Sequence, residues 1–269
     1  LSSAVASSQV AAVPWVERAA ASAWLQRQWA AANAGKTRLA LVAGEAGIGK
    51  SCLIERFARD VSRSDAPHIA FGQCVEHTAG VEPYLPLLEA LNALCRDAPD
   101  AGLVSLMRQV APSWLLQLPW LLAPEDRQAL QREAAGTSPE RMLRECGEFL
   151  DRATAIRPLL LVVEDLHWSD AATLQLIGFL ARRRSPARLL VLASLRPAEV
   201  IAGDHPLKAL RVALREQRLC EEIELELFSE RDTALWLQQR APGTEWSEPA
   251  ARRLHEQTGG LPLFLSAVA

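Results

Sequence analysis

The chain is short of several things, and each shortage narrows its chemistry. Lysine occurs three times only, as Lys36, Lys50 and Lys208, so Lys50 stands out. The formal net charge of −3 gives no general attraction to nucleic acid or to an anionic membrane. The five cysteines, Cys52, Cys74, Cys95, Cys146 and Cys220, are scattered and never spaced as C-x-x-C. That argues against a disulfide framework or a zinc site and for a reducing, cytoplasmic compartment. No apolar run reaches the length of a membrane span, so no membrane contact is expected. The amino end, Leu1 to Val5, has neither the basic region nor the apolar block of a signal peptide. It also lacks an initiator Met, and a fragment of something longer is expected. No internal repeat is present.

What is present is a 269-residue chain that is 49% apolar, enough for one large domain or two smaller ones. Gly44-Glu45-Ala46-Gly47-Ile48-Gly49-Lys50-Ser51 fits the phosphate-binding pattern G-x-x-x-x-G-K-[ST]. Before it, Leu39 to Ala43 is short and apolar, as a buried parallel strand should be. After it, from Cys52 on, Leu53, Ile54, Phe57 and Val61 fall at helical spacing. Glycines let such a loop wrap its N–H groups around a polyphosphate, with the positive helix end behind them. Lys50 offers a mobile charge to the outer phosphates, and Ser51 a hydroxyl to Mg²⁺. A glycine-rich turn that binds nothing is the rival, and the flanking strand and helix speak against it.

Further strands are expected at 68–72, 159–163, 189–193 and 222–227. Helices are expected at 14–32, 84–94, 103–110, 124–133, 139–155 and 169–182, and again from Ser229 onward. Asn33-Ala-Gly35 ends the first of these, and Thr137-Ser-Pro-Glu140 has capping-box spacing. The stretch from 72 to 159 is far longer than a minimal crossover, so a helical insertion belongs there, at about 81–157. Strands alternating with helices imply an α/β fold, with a central parallel five-stranded sheet covered on both faces and the phosphate-loop strand at its centre. The domain reading is a linker at 1–13, a nucleotide-binding domain at 14–228, and the start of a C-terminal helical lid at 229–269.

Leu159 to Val163 runs into Glu164-Asp165, and a buried parallel strand carries its carboxyl end to the ligand crevice. By position Glu164 serves the metal and Asp165 poises water against the γ-phosphate. Arg196, after the strand at 189–193, can reach the terminal phosphate by a charge-assisted contact, with a plain surface arginine as the rival reading. His167 and Trp168 follow the acids, with a packing or hydrogen-bonding role the readier reading for the histidine.

Together with Ala193-Ser-Leu-Arg196 and Gly260-Leu-Pro262, the loop and the string Glu164-Asp-Leu-His-Trp-Ser-Asp170 resemble the AAA-type ATPase module of bacterial signalling proteins. This is the STAND class of large LuxR-type regulators and of cyclase- or kinase-linked ATPases. The segment around Gly72-Gln-Cys and Pro83 to Leu91 is similar to that group too. The resemblance implies a P-loop three-layer sandwich acting as a slow ATP/ADP switch with Mg²⁺. It implies that residues 44–52, Cys52 included, hold the phosphates, that Pro262 packs on the adenine, and that Arg196 senses the γ-phosphate. It also implies self-association in the ATP state and an output domain beyond residue 269. Two departures stand out: Trp15-Val-Glu-Arg18 replaces the family's V-G-R-E, and the acids read Glu-Asp rather than Asp-Asp or Asp-Glu.

The alternatives are a nucleotide binder without hydrolysis, a P-loop phosphotransferase on a small molecule, and a DNA-handling ATPase. The charge and the lack of a DNA-reading motif weigh against direct nucleic-acid contact. No N-K-x-D guanine reader and no L-S-G-G-Q-type signature occurs, against a GTPase and a transport ATPase.

Overall fold

In the computed structural model the described residues are 15–76, 82–97, 102–133, 136, 138–203, 205–240 and 246–268. The linker expected at 1–13, together with Pro14 and Thr137, lies outside them. The described chain forms two bodies. One holds 19–46 and 50–225, the other 15–18, 47–49 and 226–268.

The first body opens with α1 (Ala19–Asn33), β1 (Arg38–Ala43), α2 (Lys50–Asp65) and β2 (His68–Gln73). The insertion follows as α3 (Leu85–Asp97), α4 (Gly102–Val110), α5 (Pro112–Leu116), α6 (Pro124–Glu133) and α7 (Pro139–Ile156). Then come β3 (Leu159–Glu164), α8 (Ala171–Arg182), β4 (Leu189–Leu195), α9 (Pro197–Ala202), α10 (Leu207–Glu216) and β5 (Cys220–Glu224). All pairings are parallel, in the order β2-β3-β4-β1-β5. The apolar runs become strands because both faces are covered: all seven residues of β4 and the first five of β3 are buried. Their side chains continue into one core that includes Leu87, Met107, Trp114 and Phe149 of the insertion.

Three details differ from the sequence reading. The phosphate-loop strand β1 is interior but not central; β4 is, because the chain crosses from β1 over β4 and β3 before laying down β2. β5 begins at Cys220 and stops at Glu224, short of the expected 222–227. Its ladder ends with Leu225 N–H donating to Ala43 O at 2.9 Å, and past Ala43 the neighbouring strand has turned into the loop. The third difference is α1, which starts at Ala19. Trp24, Leu25 and Trp29 are buried along it, but Trp15 lies in the other body, its N–H donating to Gln239 Oε1 at 2.7 Å.

Helices α5, α9 and α10 had no counterpart in the sequence reading. α5 is locked to α7 by Glu145, a buried carboxylate that accepts from Ser113 N–H at 2.8 Å and from Arg141 Nε at 2.6 Å. At α7 the cap is Ser138, whose Oγ accepts from Arg141 N–H with Pro139 in the first turn. Gly72 sits where α3 approaches β2 so closely that a Cβ there would lie 1.8 Å from Pro86 O.

The second body carries α11 (Glu230–Arg240), α12 (Glu248–Thr258) and α13 (Pro262–Val268) around Val16, Phe228, Trp236, Leu237, Ala251 and Leu265. Ser229 and Asp232 exchange bonds between side chain and backbone N–H, a capping box at the start of α11. Gly259, left-handed at φ +60°, stops α12. Among the described residues no helix is long and apolar enough to cross a membrane.

Candidate phosphate-binding site

β1 delivers the chain to the glycine loop and α2 takes it away, with Gly47 and Gly49 at φ +74° and +97°. Those angles favour glycine, and they turn the loop so that α2 begins at Lys50. Lys50 is buried and folds back, its Nζ donating to Gly44 O and Glu45 O at 2.9 Å each. Burial lowers its pKa, Arg196 lowers it further, and Asp165, Glu45 and Glu164 pull the other way. An amine desolvated near a second cation is an anion site in waiting.

Ser51, next on α2, donates its hydroxyl to Glu164 Oε2. Glu164 ends β3, and burial raises its pKa; the Ser51 bond opposes this, while Asp165 adds to it. Asp165 leaves the strand at φ +54°, a conformation that aspartate tolerates better than most residues. Ser194, the last residue but one of the apolar strand β4, accepts the Asp165 N–H at 2.9 Å. From the other side, Gln73 at the end of β2 reaches Asp165 Oδ2 with its Nε2 at 3.4 Å. The neighbouring strand ends therefore hold Asp165 from two sides, Ser194 by the Asp165 backbone and Gln73 by the Asp165 carboxylate.

Arg196 caps the end of β4. Its Nη1 donates to Glu199 at 2.7 Å, its guanidinium stacks 5.0 Å above the Trp168 ring, and its buried Nε has no partner among the described residues. His167 is buried against Trp168, with ring centroids 4.7 Å apart. Its Nε2 lies 3.2 Å from Glu199 Oε2 and 4.0 Å from Asp165 Oδ1, at ion-pair separation without hydrogen-bond alignment. Burial lowers its pKa against the pull of those two carboxylates. The packing role expected for this histidine matches its full burial.

In the second body the middle of the loop is held by its own contacts. Arg18 donates through Nη1 to Glu226 O at 2.7 Å and through Nη2 to Ile48 O at 2.8 Å, its guanidinium 4.9 Å from the Phe228 ring. Leu263 N–H donates to Gly47 O at 3.1 Å, so the residue after Pro262 touches the loop.

The structure thus brings Gly44, Glu45, Lys50, Ser51, Glu164, Asp165 and Arg196 to one edge of the first body's sheet. Gly47, Ile48, Gly49 and Pro262 group in the second body, and Ala46 ends the first body's stretch of loop. Cys52 is exposed on α2; partial desolvation and then Glu55 and Glu164 raise its pKa, which keeps it a thiol. The sequence reading assigned no part to Gln73, Ser194, Glu199 or Arg18. A serine inside an apolar strand was the one visible signal, and the rest are ordinary polar residues until the strands align.

The donor set suits Mg²⁺, which takes few protein oxygens and completes its shell with phosphate and water. Ser51 and Glu164 already meet, and the described residues contain no cluster of three acids, histidines or cysteines that would hold a metal by themselves. The backbone of 44–49 and the Lys50 amine suit a polyphosphate.

A parallel sheet with the glycine loop and the acid pair at its carboxyl edge defines the fold of the P-loop nucleoside triphosphatases. The AAA ATPase domain family matches residues 14–192, more than half the chain, and the chain belongs to that family. A Walker-type ATPase of Pyrococcus abyssi shares the fold, with a TM-score of 0.56 at 16% identity over 93% of this chain and 65% of that one. Cdc6p from Pyrobaculum aerophilum gives 0.53 at 13% identity over 90% and 55%. A signal transduction ATPase with numerous domains (STAND) from Pyrococcus horikoshii, which has a tetratricopeptide repeat sensor, gives 0.50 at 14% identity over 94% and 29%. In sequence, an uncharacterised protein of Rhizobium meliloti is 26% identical over 250 residues, 89% of this chain and 23% of its own length. The chain therefore spans about a quarter of that curated relative.

Proposed function

We propose that this AAA ATPase module is a regulatory switch that binds ATP with Mg²⁺ and hydrolyses it slowly. The observation that carries the reading is the contact of Ser51 with Glu164, beside the buried amine of Lys50 and within the field of Arg196. Ser51 and Glu164 hold the metal, the loop from Gly44 to Cys52 cradles the phosphates, and Lys50 and Arg196 face the outer charges. Asp165, pinned by Gln73 and Ser194, orients the attacking water, which favours hydrolysis over transfer to a metabolite. Pro262 serves the adenine, and the second body reports whether ATP or ADP is bound. Self-association in the ATP state, a cytoplasmic location and an output domain in cis complete the proposal. The share of longer relatives that the chain covers supports the last of these.

Calorimetry with Mg-ATP, paired with phosphate release, tests the reading. Asp165→Asn should leave ATP binding intact and cut turnover at least tenfold. Undiminished turnover in that variant removes Asp165 from the mechanism. No heat of binding in the wild type refutes the nucleotide assignment altogether.

A further inference from the structure

Away from the phosphate loop, the first body contains a cavity of about 370 Å³. That is the lower part of the range for small-molecule pockets, about 300–1,000 Å³. Its walls come from the start of α3, the end of α5, the start of α7 and one face of α8. Tyr84, Leu88, Met142 and Ala172 supply apolar surface, and Gln117 and Gln175 supply amides. The one charged residue among its described lining is Glu82; no lysine, arginine or histidine takes part. An anion has no counter-charge there and would meet a carboxylate.

Tyr84 marks the cavity as more than a packing defect. Its backbone is at φ +64°, a left-handed conformation unfavourable for an aromatic residue. Its ring packs against Trp114 at a tilt of 55° with centroids 5.2 Å apart, and its hydroxyl is buried with no partner among the described residues. The strained backbone fixes the Tyr84 ring in the cavity wall, and the amides of Gln117 and Gln175 in the lining are the groups that can meet a ligand's hydrogen-bonding group. Burial, and then Asp170, raises the pKa of that hydroxyl and keeps its proton.

The cavity is also wired to the acid centre. Ala172 and Gln175 ride on α8, whose N-cap Asp170 closes the segment that starts at Glu164. Helix α3 lies against β2 at Gly72, and the next residue, Gln73, holds Asp165.

We propose that this cavity binds a small, uncharged organic molecule with a flat apolar body and a hydrogen-bonding group, and that its occupancy sets the nucleotide affinity of the module. The binding claim stands on the cavity alone; the effector claim rests on the ATP reading above.

The probe is naphthalene-2-carboxamide, with naphthalene-2-carboxylate as the anionic control, titrated by NMR and by tryptophan fluorescence. The amide should bind the wild type at least tenfold more tightly than the carboxylate. Gln175→Phe, at an exposed position, and Ala172→Phe should both abolish binding by filling the space. Equal binding of amide and carboxylate, or full binding by Gln175→Phe, overturns the site. With the amide bound, the Mg-ATP dissociation constant should change at least threefold, and an unchanged constant overturns the effector claim. If ATP does not bind at all, the nucleotide reading fails while the comparison of Gln175→Phe with the wild type still decides the cavity.

Discussion

Replacing Lys50 with Met separates a residue that serves a ligand from one that serves the fold. In the folded protein the amine makes two bonds to carbonyl oxygens, Gly44 O and Glu45 O, each worth about 0.5–1.5 kcal/mol net. Against them stand its burial and the nearby charge of Arg196, both of which disfavour the ammonium. Methionine matches the length, fills the same space and removes an unwelcome charge. The ligand-free stability of Lys50→Met should therefore stay within about 1 kcal/mol of wild type, or about 2–4 °C for a domain of this size. Binding is another matter. A charge-assisted contact to phosphate contributes about 1.5–3 kcal/mol, so Mg-ATP should bind about ten- to a hundredfold more weakly. At a ligand concentration of about 100 Kd the wild type gains about 2.7 kcal/mol, a rise of about 5–10 °C in Tm. At the same concentration the variant should gain about 0.4–1.4 kcal/mol, a rise of about 1–6 °C that stays at about half the wild-type rise or below. Differential scanning calorimetry with and without Mg-ATP reads both quantities at once. A variant that keeps the full ligand-induced rise, or one whose ligand-free Tm collapses by about 10 °C, refutes the reasoning.

Other consequences are more local. Gly72→Ala places a Cβ against the Pro86 carbonyl, so α3 has to move and the fold should lose about 2 kcal/mol or more, read as a lower urea midpoint at unchanged slope; a loss under about 0.5 kcal/mol contradicts the contact. Arg18→Ala removes the link from Glu226 O to Ile48 O, and amide exchange at 47–49 should quicken at least tenfold while exchange in β3 and β4 stays slow; unchanged rates would show that the link does not hold the loop. His167 has its pKa lowered from 6.5 by burial, so the unfolded chain takes up this proton first. The stability it contributes is complete above about pH 6.5 and is lost as pH falls through the folded-state value. His167→Gln should flatten that part of the profile of Tm against pH, and parallel profiles for variant and wild type would exclude His167 as its source.

Much of this protein is written locally. The glycine loop between an apolar strand and a helix is legible because its chemistry fits in eight consecutive residues, and Glu164-Asp165 is legible because an apolar run points at it. All five strands were readable from apolar runs or alternation, although β5 ended early: Glu222-Ile-Glu-Leu-Glu-Leu227 continues to alternate after its partner strand has stopped.

What only the tertiary structure decided is which strand ends become neighbours. No local pattern states that β4 lies at the centre, with β1 one place from an edge. That order nevertheless brings Gln73 and Ser194 to Asp165, a meeting that neither residue's own stretch of sequence states. The clamp of Arg18 on Ile48, and the strained Tyr84 beside its cavity, likewise join residues that are far apart or unremarkable along the chain. The physical reason is the range of the forces. Backbone geometry and hydrophobic period act over a few residues and fix the loop and the strands, whereas crossover packing and shared burial act over the whole chain and choose which polar groups meet.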